Sequence, residues 1–298
     1  MNDRPCPICA GSVPAVLFAE STIDPDGLDQ FAYSSRKLPE YMHLQLMSCP
    51  ACDLVFASPA PDLQALSAAY VDAWFDSAVE STMAATTYAT ILKPYLARLP
   101  DRTAALDIGT GDGAFLLELL DARFQNVQGV EPSRAPIAAA DLQVRSLIRQ
   151  GIFAVADYVP ATLSLVTCFQ TIEHVRDPLE LCRDIFTLLK PGGALCLVCH
   201  NRRAISARLL GRKSPIFDIE HMQLFSPQSL SRMLDASGFS RVEVFSIWNR
   251  YPLSYWVRLF PLPPPLKRGA LTTLKATRLG RIPFALPPGN LAAVAFRS

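Results

Sequence analysis

The chain has 298 residues, half of them hydrophobic and only 18% charged, which excludes a disordered protein and leaves material for one or two packed domains. Its formal charge is +1, so no overall field draws it to nucleic acid or an anionic surface. The 14 glycines and 25 prolines fall without a period, which excludes collagen-like and low-complexity chains.

The stretch from Met1 to Cys6 lacks the apolar region of a secretory signal, and no apolar run reaches the ~20 residues that span a bilayer. The expectation is a cytoplasmic protein whose eight cysteines are thiols or metal ligands rather than disulfides. Residues 1–60 carry two knuckles, Cys6-Pro7-Ile8-Cys9 and Cys49-Pro50-Ala51-Cys52. A two-residue spacing aims both sulfurs of a tight turn the same way, and four thiolates suit tetrahedral Zn²⁺. A structural zinc ribbon is expected, with iron as the other metal for such a site. The protein fills all four positions, so catalysis at that metal is not expected. His43 in this segment could serve as a spare ligand, but four cysteines already suffice.

Residues 61–102 read as a helical connector and lid. Asp62 can cap a run with Leu63, Leu66 and Tyr70, and a second run carries Tyr88, Ile91, Leu92 and Tyr95. Trp74, Phe75 and Tyr88 read as packing residues that could also cover a ligand. From Thr103 the texture changes. Predicted strands at 104–108, 127–130, 144–148, 163–169, 194–199 and 242–247 alternate with helices at 114–122, 133–140, 179–189 and 227–236. That alternation predicts an α/β domain with a mostly parallel sheet over residues 103–247 and 289–298. Cys196 and Cys199 lie three apart on a strand and so face opposite sides; with Cys168 and Cys182 they read as core thiols.

Residues 248–288 form an insertion with seven Arg and Lys, no acids, several aromatics and a proline run. Residues 201–213 add five more basic residues. Such stretches suit an anionic acceptor or peripheral contact with a membrane surface, the alternative being a solvated face.

The turn after the first α/β strand is glycine-rich and opens a helix. It presents unpaired backbone N–H groups at one point, and glycine lets a ligand approach the backbone closely. Glu131 ends the next strand, where a carboxylate can accept both hydroxyls of a ribose. Together they describe a pocket for an adenosine-containing cofactor, of methyl-donor or dinucleotide type, since Gly109, Gly111 and Ala114 also satisfy a dinucleotide fingerprint.

The segment Leu106-Asp107-Ile108-Gly109-Thr110-Gly111-Asp112-Gly113 resembles motif I of class I S-adenosylmethionine-dependent methyltransferases. The stretch Thr171-Ile172-Glu173-His174-Val175-Arg176-Asp177-Pro178, followed by Leu188-Leu189-Lys190-Pro191-Gly192-Gly193, resembles the family's strand-four and strand-five region, and separates it from dehydrogenases. Phe225-Ser226-Pro227 and Gly238-Phe239 fit the same family. The segment after the second knuckle, Asp53-Leu54-Val55-Phe56-Ala57-Ser58-Pro59, resembles bacterial methyltransferases that carry a ribbon before the catalytic domain. The resemblance implies a Rossmann-like, seven-stranded sheet whose last strand, from residues 291–296, is antiparallel. It implies S-adenosylmethionine held by Asp107, Gly109, Thr110, Gly111, Gly113, Glu131, Pro132 and Gln170. The family often carries a polar or acidic residue after strand three; Gln150-Gly151-Ile152-Phe153 holds no acid, the next being Asp157, so Gly151, Ile152 and Phe153 are assigned to the adenine.

A sulfonium methyl is already activated, so transfer needs an in-line nucleophile, plus a base when the acceptor must lose a proton. His174 and Glu173 follow strand four at the expected place, and His221 is a further candidate. The expected acceptor is a small molecule, a sugar or a lipid-linked compound, methylated on oxygen or carbon ahead of nitrogen. An rRNA or tRNA methyltransferase and a non-catalytic zinc-dependent adaptor are the alternatives; the modest charge and the missing N-P-P-Y-type motif weigh against nucleic acid.

Overall fold

In the computed structural model, which describes residues 3–24, 33 and 41–298, the chain forms two sheets. The N-terminal strands β1 (Val16–Ala19), β2 (Leu46–Ser48) and β3 (Val55–Ala57) pair antiparallel in sequence order. Helices α1 (Leu63–Val71) and α2 (Ala78–Leu92) lead to the larger sheet. Its strands come in alternation with helices: β4 (Ala104–Ile108), α3 (Ala114–Asp121), β5 (Asn126–Glu131), α4 (Arg134–Ala139), α5 (Leu142–Arg145), β6 (Ile148–Gln150) and β7 (Leu163–Phe169). Next are α6 (Pro178–Leu188), β8 (Leu189–His200), α7 (Ile205–Leu210), the short β9 (Gln223–Leu224) and α8 (Pro227–Ala236). The last elements are β10 (Ser240–Pro252), α9 (Leu253–Leu259), α10 (Pro264–Ala276) and β11 (Pro283–Phe296).

The strand order of the seven-stranded sheet is β10-β11-β8-β7-β4-β5-β6. Strands β4 to β8 pair in parallel, and β11 runs antiparallel to both β8 and β10, as the sequence implied. Alternation along the strands feeds two cores. Leu106, Val166, Leu197 and Cys199 pack on one face with α6 and α8. Ala105, Leu165, Cys196 and Val198 pack on the other with α2 and α3. Cys196 and Cys199 thus do face opposite sides.

Two features depart from expectation. Residues 142–145 form α5 where a strand was expected at 144–148, because the Asp141 side chain accepts the Gln143 backbone N–H at 2.8 Å and holds a helical turn. The strand begins at Ile148 instead. The two final strands are also longer than expected: beyond the sheet edge they continue as a ribbon, from Asn249 opposite Leu286 to Pro252 opposite Pro283. Helices α9 and α10 cap that ribbon, so the basic insertion is an ordered extension of the sheet.

Strand β9 belongs to the small sheet, where Val55 pairs with Leu224 and Phe56 with Gln223. The loop that supplies this strand comes from the larger domain. Asp53 adds a second tie by accepting from Arg202 and, at 2.9 Å, from Arg203 Nε. These two arginines of the basic 201–213 stretch are therefore paired with the ribbon. Among the described residues, no helix is long and apolar enough to cross a membrane.

Candidate active site

The end of β4 fixes the first half of the site. The N–H groups of Gly109 and Thr110 donate to Val130 O at 2.9 and 3.2 Å, which pins the turn to the tip of β5. Gly109 sits at φ +73°, and a Cβ there would lie 2.2 Å from Thr171 Oγ1, so no side chain fits. Gly111, at φ +58°, faces open space: nothing lies within 4 Å of where its Cβ would be. The turn is closed from behind by Thr171 and open in front.

Glu131 borders that opening. Its Oε2 accepts the Gly111 N–H and its Oε1 the Ser133 N–H, each at 2.9 Å. Burial raises its pKa, and these backbone donors partly counter the rise. Each oxygen keeps lone-pair capacity for a further donor such as a sugar hydroxyl. Asp107 is also buried. Its carboxyl is pushed up to about 7 by desolvation, partly offset by the Thr167 hydroxyl donating at 2.6 Å.

These groups open into one cavity of about 630 Å³. Asp107, Gly109, Thr110, Gly111, Glu131, Pro132, Gly151, Ile152, Phe153 and Gln170 all border it, whereas Gly113 does not. Gly113 begins α3 in a left-handed conformation and packs toward Val144 and Ile148, so its role is in the fold. Gln170, at φ +51°, keeps its buried Nε2 without a partner among the described residues, as suits a group that would meet a polar ligand. The open cradle, the ribose-type carboxylate and this orphaned donor fit S-adenosylmethionine.

The far end of the cavity gathers histidines from three segments. His174 comes from the short turn Ile172–His174 after β7, His200 from the end of β8, and His221 from the loop before β9. Ring centroids of His174 and His200 lie 5.0 and 4.8 Å from that of His221. Tyr70 Oη and the Glu220 carbonyl oxygen meet His174 Nδ1 at 3.0 and 3.2 Å, and Glu220 Oε2 lies 3.7 Å from it. A carbonyl oxygen only accepts, so His174 Nδ1 carries its hydrogen. Burial lowers His200 to about 4, leaving it neutral.

Glu173 corrects an expectation. It does not border the cavity but is fully buried, with Oε1 accepting the His200 N–H at 3.3 Å and burial pushing its carboxyl up to about 8. The reason is local: Met222 N donates to Glu173 O and Gln223 Nε2 to Ile172 O, which clamp the turn against the β9 loop. Glu173 therefore cannot contact an acceptor directly.

Sequence reading missed Glu220, Tyr70 and Asn290, which line the cavity together with Tyr251, Tyr255 and Trp256 of the aromatic insertion. One signal was present, because Glu220-His221 repeats the Glu173-His174 dipeptide. Trp74, Phe75 and Tyr88 border the cavity as well as packing.

In the N-terminal module, Cys6, Cys9, Cys49 and Cys52 bring their sulfurs within 4.8 Å of one another, with Cys6 and Cys52 at 3.6 Å. Sulfurs bound tetrahedrally to zinc at ~2.3 Å would be about 3.8 Å apart, so this set fits zinc. His43 is not in that group; its ring lies 5.8 Å from Phe217.

Comparison with known proteins places these features in context. Residues 81–244 match the family described as a methyltransferase domain. The chain is 31% identical over 149 residues to a ubiquinone biosynthesis O-methyltransferase of Aeromonas salmonicida, covering 45% of this chain and 61% of that one. A protein of the same name from Idiomarina loihiensis is 30% identical over 153 residues, covering 47% and 62%. The chain thus spans about three fifths of the length of these relatives. A third, from Pseudomonas fluorescens, is 33% identical over 172 residues, covering 52% and 72%. Among solved structures, a SAM-dependent methyltransferase from Archaeoglobus fulgidus superposes with a TM-score of 0.48 at 18% identity, covering 71% and 94%. One from Thermotoga maritima gives 0.49 at 17%, covering 74% and 93%.

Proposed function

Because the chain belongs to the S-adenosylmethionine-dependent methyltransferase family, we propose that it transfers a methyl group to a small or lipid-linked acceptor, on oxygen ahead of carbon or nitrogen. The observation that carries this reading is the continuity of one cavity, from the Gly109–Gly111 turn and Glu131 at one end to the His174, His200 and His221 rings at the other. When bound, the donor supplies a methyl on a sulfonium, ready for in-line displacement. Glu131 takes the ribose hydroxyls, Gly109 and Gly111 leave room for the backbone to approach, and Asp107 faces the positively charged end. Gly151, Ile152 and Phe153 flank the adenine. A neutral imidazole at the far end, His221 or His174, accepts the proton that a hydroxyl acceptor loses.

Several finer assignments go with this proposal. The four cysteines hold a structural Zn²⁺ in a ribbon over residues 1–60. Residues 61–102 act as connector and lid, the catalytic domain covers 103–247 with 289–298, and 248–288 is the insertion. That insertion exposes Trp248, Phe260, Leu266, Leu279, Ile282 and Phe284 beside basic residues, while Leu259 and Phe260 also line the cavity. Such a face suits peripheral contact with an anionic membrane from which a lipid-linked acceptor enters. Arg258 lies 3.8 Å from Asp76 and 3.7 Å from Glu80, so the remaining basic residues supply most of the attraction. The setting is cytoplasmic.

The test is incubation of the protein with methyl-labelled donor and metabolite or lipid extracts, read by mass spectrometry. Label in a phenolic, sugar or polyprenyl-type product is expected; label in RNA alone would replace this reading with the nucleic-acid one.

Asp107 also predicts a pH dependence. Below about pH 7 the empty site holds a proton that a cationic donor must displace, whereas above it the carboxylate is already charged. Donor affinity measured by calorimetry should therefore fall by up to about tenfold from pH 8 to pH 6. Asp107→Asn should flatten that profile.

A further inference from the structure

Strand β10 carries a polar residue on an apolar face. Ile247, Asn249 and Tyr251 turn inward and are 4%, 3% and 5% exposed, whereas Trp248 and Arg250 face solvent. That is the alternation of a strand with one covered side. The register against β11 shifts between Ile247 and Asn249, and an irregularity of this kind re-aims a side chain. Asn249 borders the cavity beside Tyr251, and its Oδ1 is buried with no hydrogen-bond partner among the described residues. A buried amide oxygen without a donor is costly, and a leucine could fill the same wall without that cost. A ligand that brings a donor removes the penalty.

The place of Asn249 in the sheet says which ligand. The Gly109–Glu131 cradle rests on β4 and β5, and β10 stands four strands from β4, about 19 Å along the sheet at ~4.8 Å per strand. Ile247 pairs with Asn290 and Asn290 with His200, so Asn249 lies on the histidine side, two strands across from β8. Its surroundings are aromatic and fixed. The Tyr251 ring lies 4.7 Å from that of Tyr255 and 5.4 Å from that of Trp256, whose Nε1 donates to Phe284 O at 2.8 Å. All of these residues lie beyond the 81–244 segment that matches the methyltransferase domain, so this corner of the cavity belongs to the insertion of this chain.

We propose that Asn249 is a specificity-determining residue, whose side-chain amide accepts a hydrogen bond from a donor group of the acceptor other than the atom that is methylated. The apolar or aromatic body of the same molecule lies on Tyr251, Tyr255 and Trp256. The assignment to an acceptor rests on the methyl-transfer reading, whereas the binding of a hydroxyl-bearing apolar molecule at Asn249 does not.

The test uses phenol and toluene, which are similar in shape and differ in the donor hydroxyl. Both are titrated into the full chain with S-adenosylhomocysteine added, whose own binding, followed by calorimetry, reports on the donor reading separately. In ¹H–¹⁵N spectra the side-chain amide signal of Asn249 is assigned by its disappearance in Asn249→Asp. It should shift with phenol and far less with toluene. Asn249→Leu should move the ratio of phenol to toluene affinity about fivefold toward toluene, within the two- to twelvefold that a hydrogen bond of ordinary strength carries. Circular dichroism verifies that the variant folds. The proposal is overturned if the Asn249 signal of the parent does not respond to phenol, if folded Asn249→Leu keeps the ratio within about twofold, or if it weakens S-adenosylhomocysteine instead, which would place Asn249 on the donor.

Discussion

Glu131→Ala is expected to weaken S-adenosylmethionine binding by about a hundredfold, while the protein stays folded. A hydrogen bond to a charged group contributes about 1.5–3 kcal/mol, and the carboxylate is placed to take a ribose hydroxyl on each oxygen. The same carboxylate accepts the Gly111 and Ser133 N–H groups, so its loss also frees the turn that cradles the donor. Calorimetric titration and a thermal transition separate the two effects: affinity should fall far more than stability. Glu131→Gln keeps one acceptor oxygen and should fall between the two. An affinity within about twofold of the parent would remove Glu131 from the donor site.

Cys49→Ser is expected to have the largest effect on folding. A structural zinc site contributes free energy of order 10 kcal/mol to the segment it organises, and Cys49 is fully buried within the cluster. With the proposed zinc in place, losing one ligand should release it and unfold the N-terminal sheet. The damage should then spread in a particular direction. Strand β3 pairs with β9, which begins two residues after His221, so the acceptor end loses its support. The Gly109–Glu131 end is built on β4 and β5 and does not depend on the ribbon. Zinc content and limited proteolysis should report the unfolding. Turnover of an acceptor should collapse, with donor affinity changing less than about threefold because the Gly109–Gly111 turn and Glu131 are held by β4 and β5. Intact turnover in a zinc-free variant would mean that the ribbon has no part in shaping the acceptor site.

Much of this was legible in the sequence, for a physical reason. The glycine turn and Glu131 are adjacent to strand ends, so local patterning places them, and a mostly parallel sheet follows from the strand–helix alternation. The two cysteine pairs carry their geometry in their spacing. What the sequence hid depends on long-range closure. Glu173 reads as a residue at the open edge of the sheet, yet the Gln223 side chain and the Met222 backbone clamp its turn and bury it. The histidine cluster joins residues 26 and 21 positions apart along the chain, from His174 to His200 and on to His221, and no local period announces it. Residues 142–145 alternate like a strand, but a single Asp141 cap turns them into a helix. The insertion's aromatics are plain in the sequence, but how Tyr251, Tyr255 and Trp256 wall the cavity emerges only once β10 and β11 extend past the sheet.

The central claim is that a methyl donor lies over the turn between β4 and α3 with its sugar on Glu131. Side-by-side calorimetric titrations of the purified protein with S-adenosylmethionine and with NADH test it most directly. The account predicts saturable one-to-one binding of the former, silence from the latter, and a site occupied equally by the demethylated product. Heat from NADH alone, or from neither compound, would contradict it.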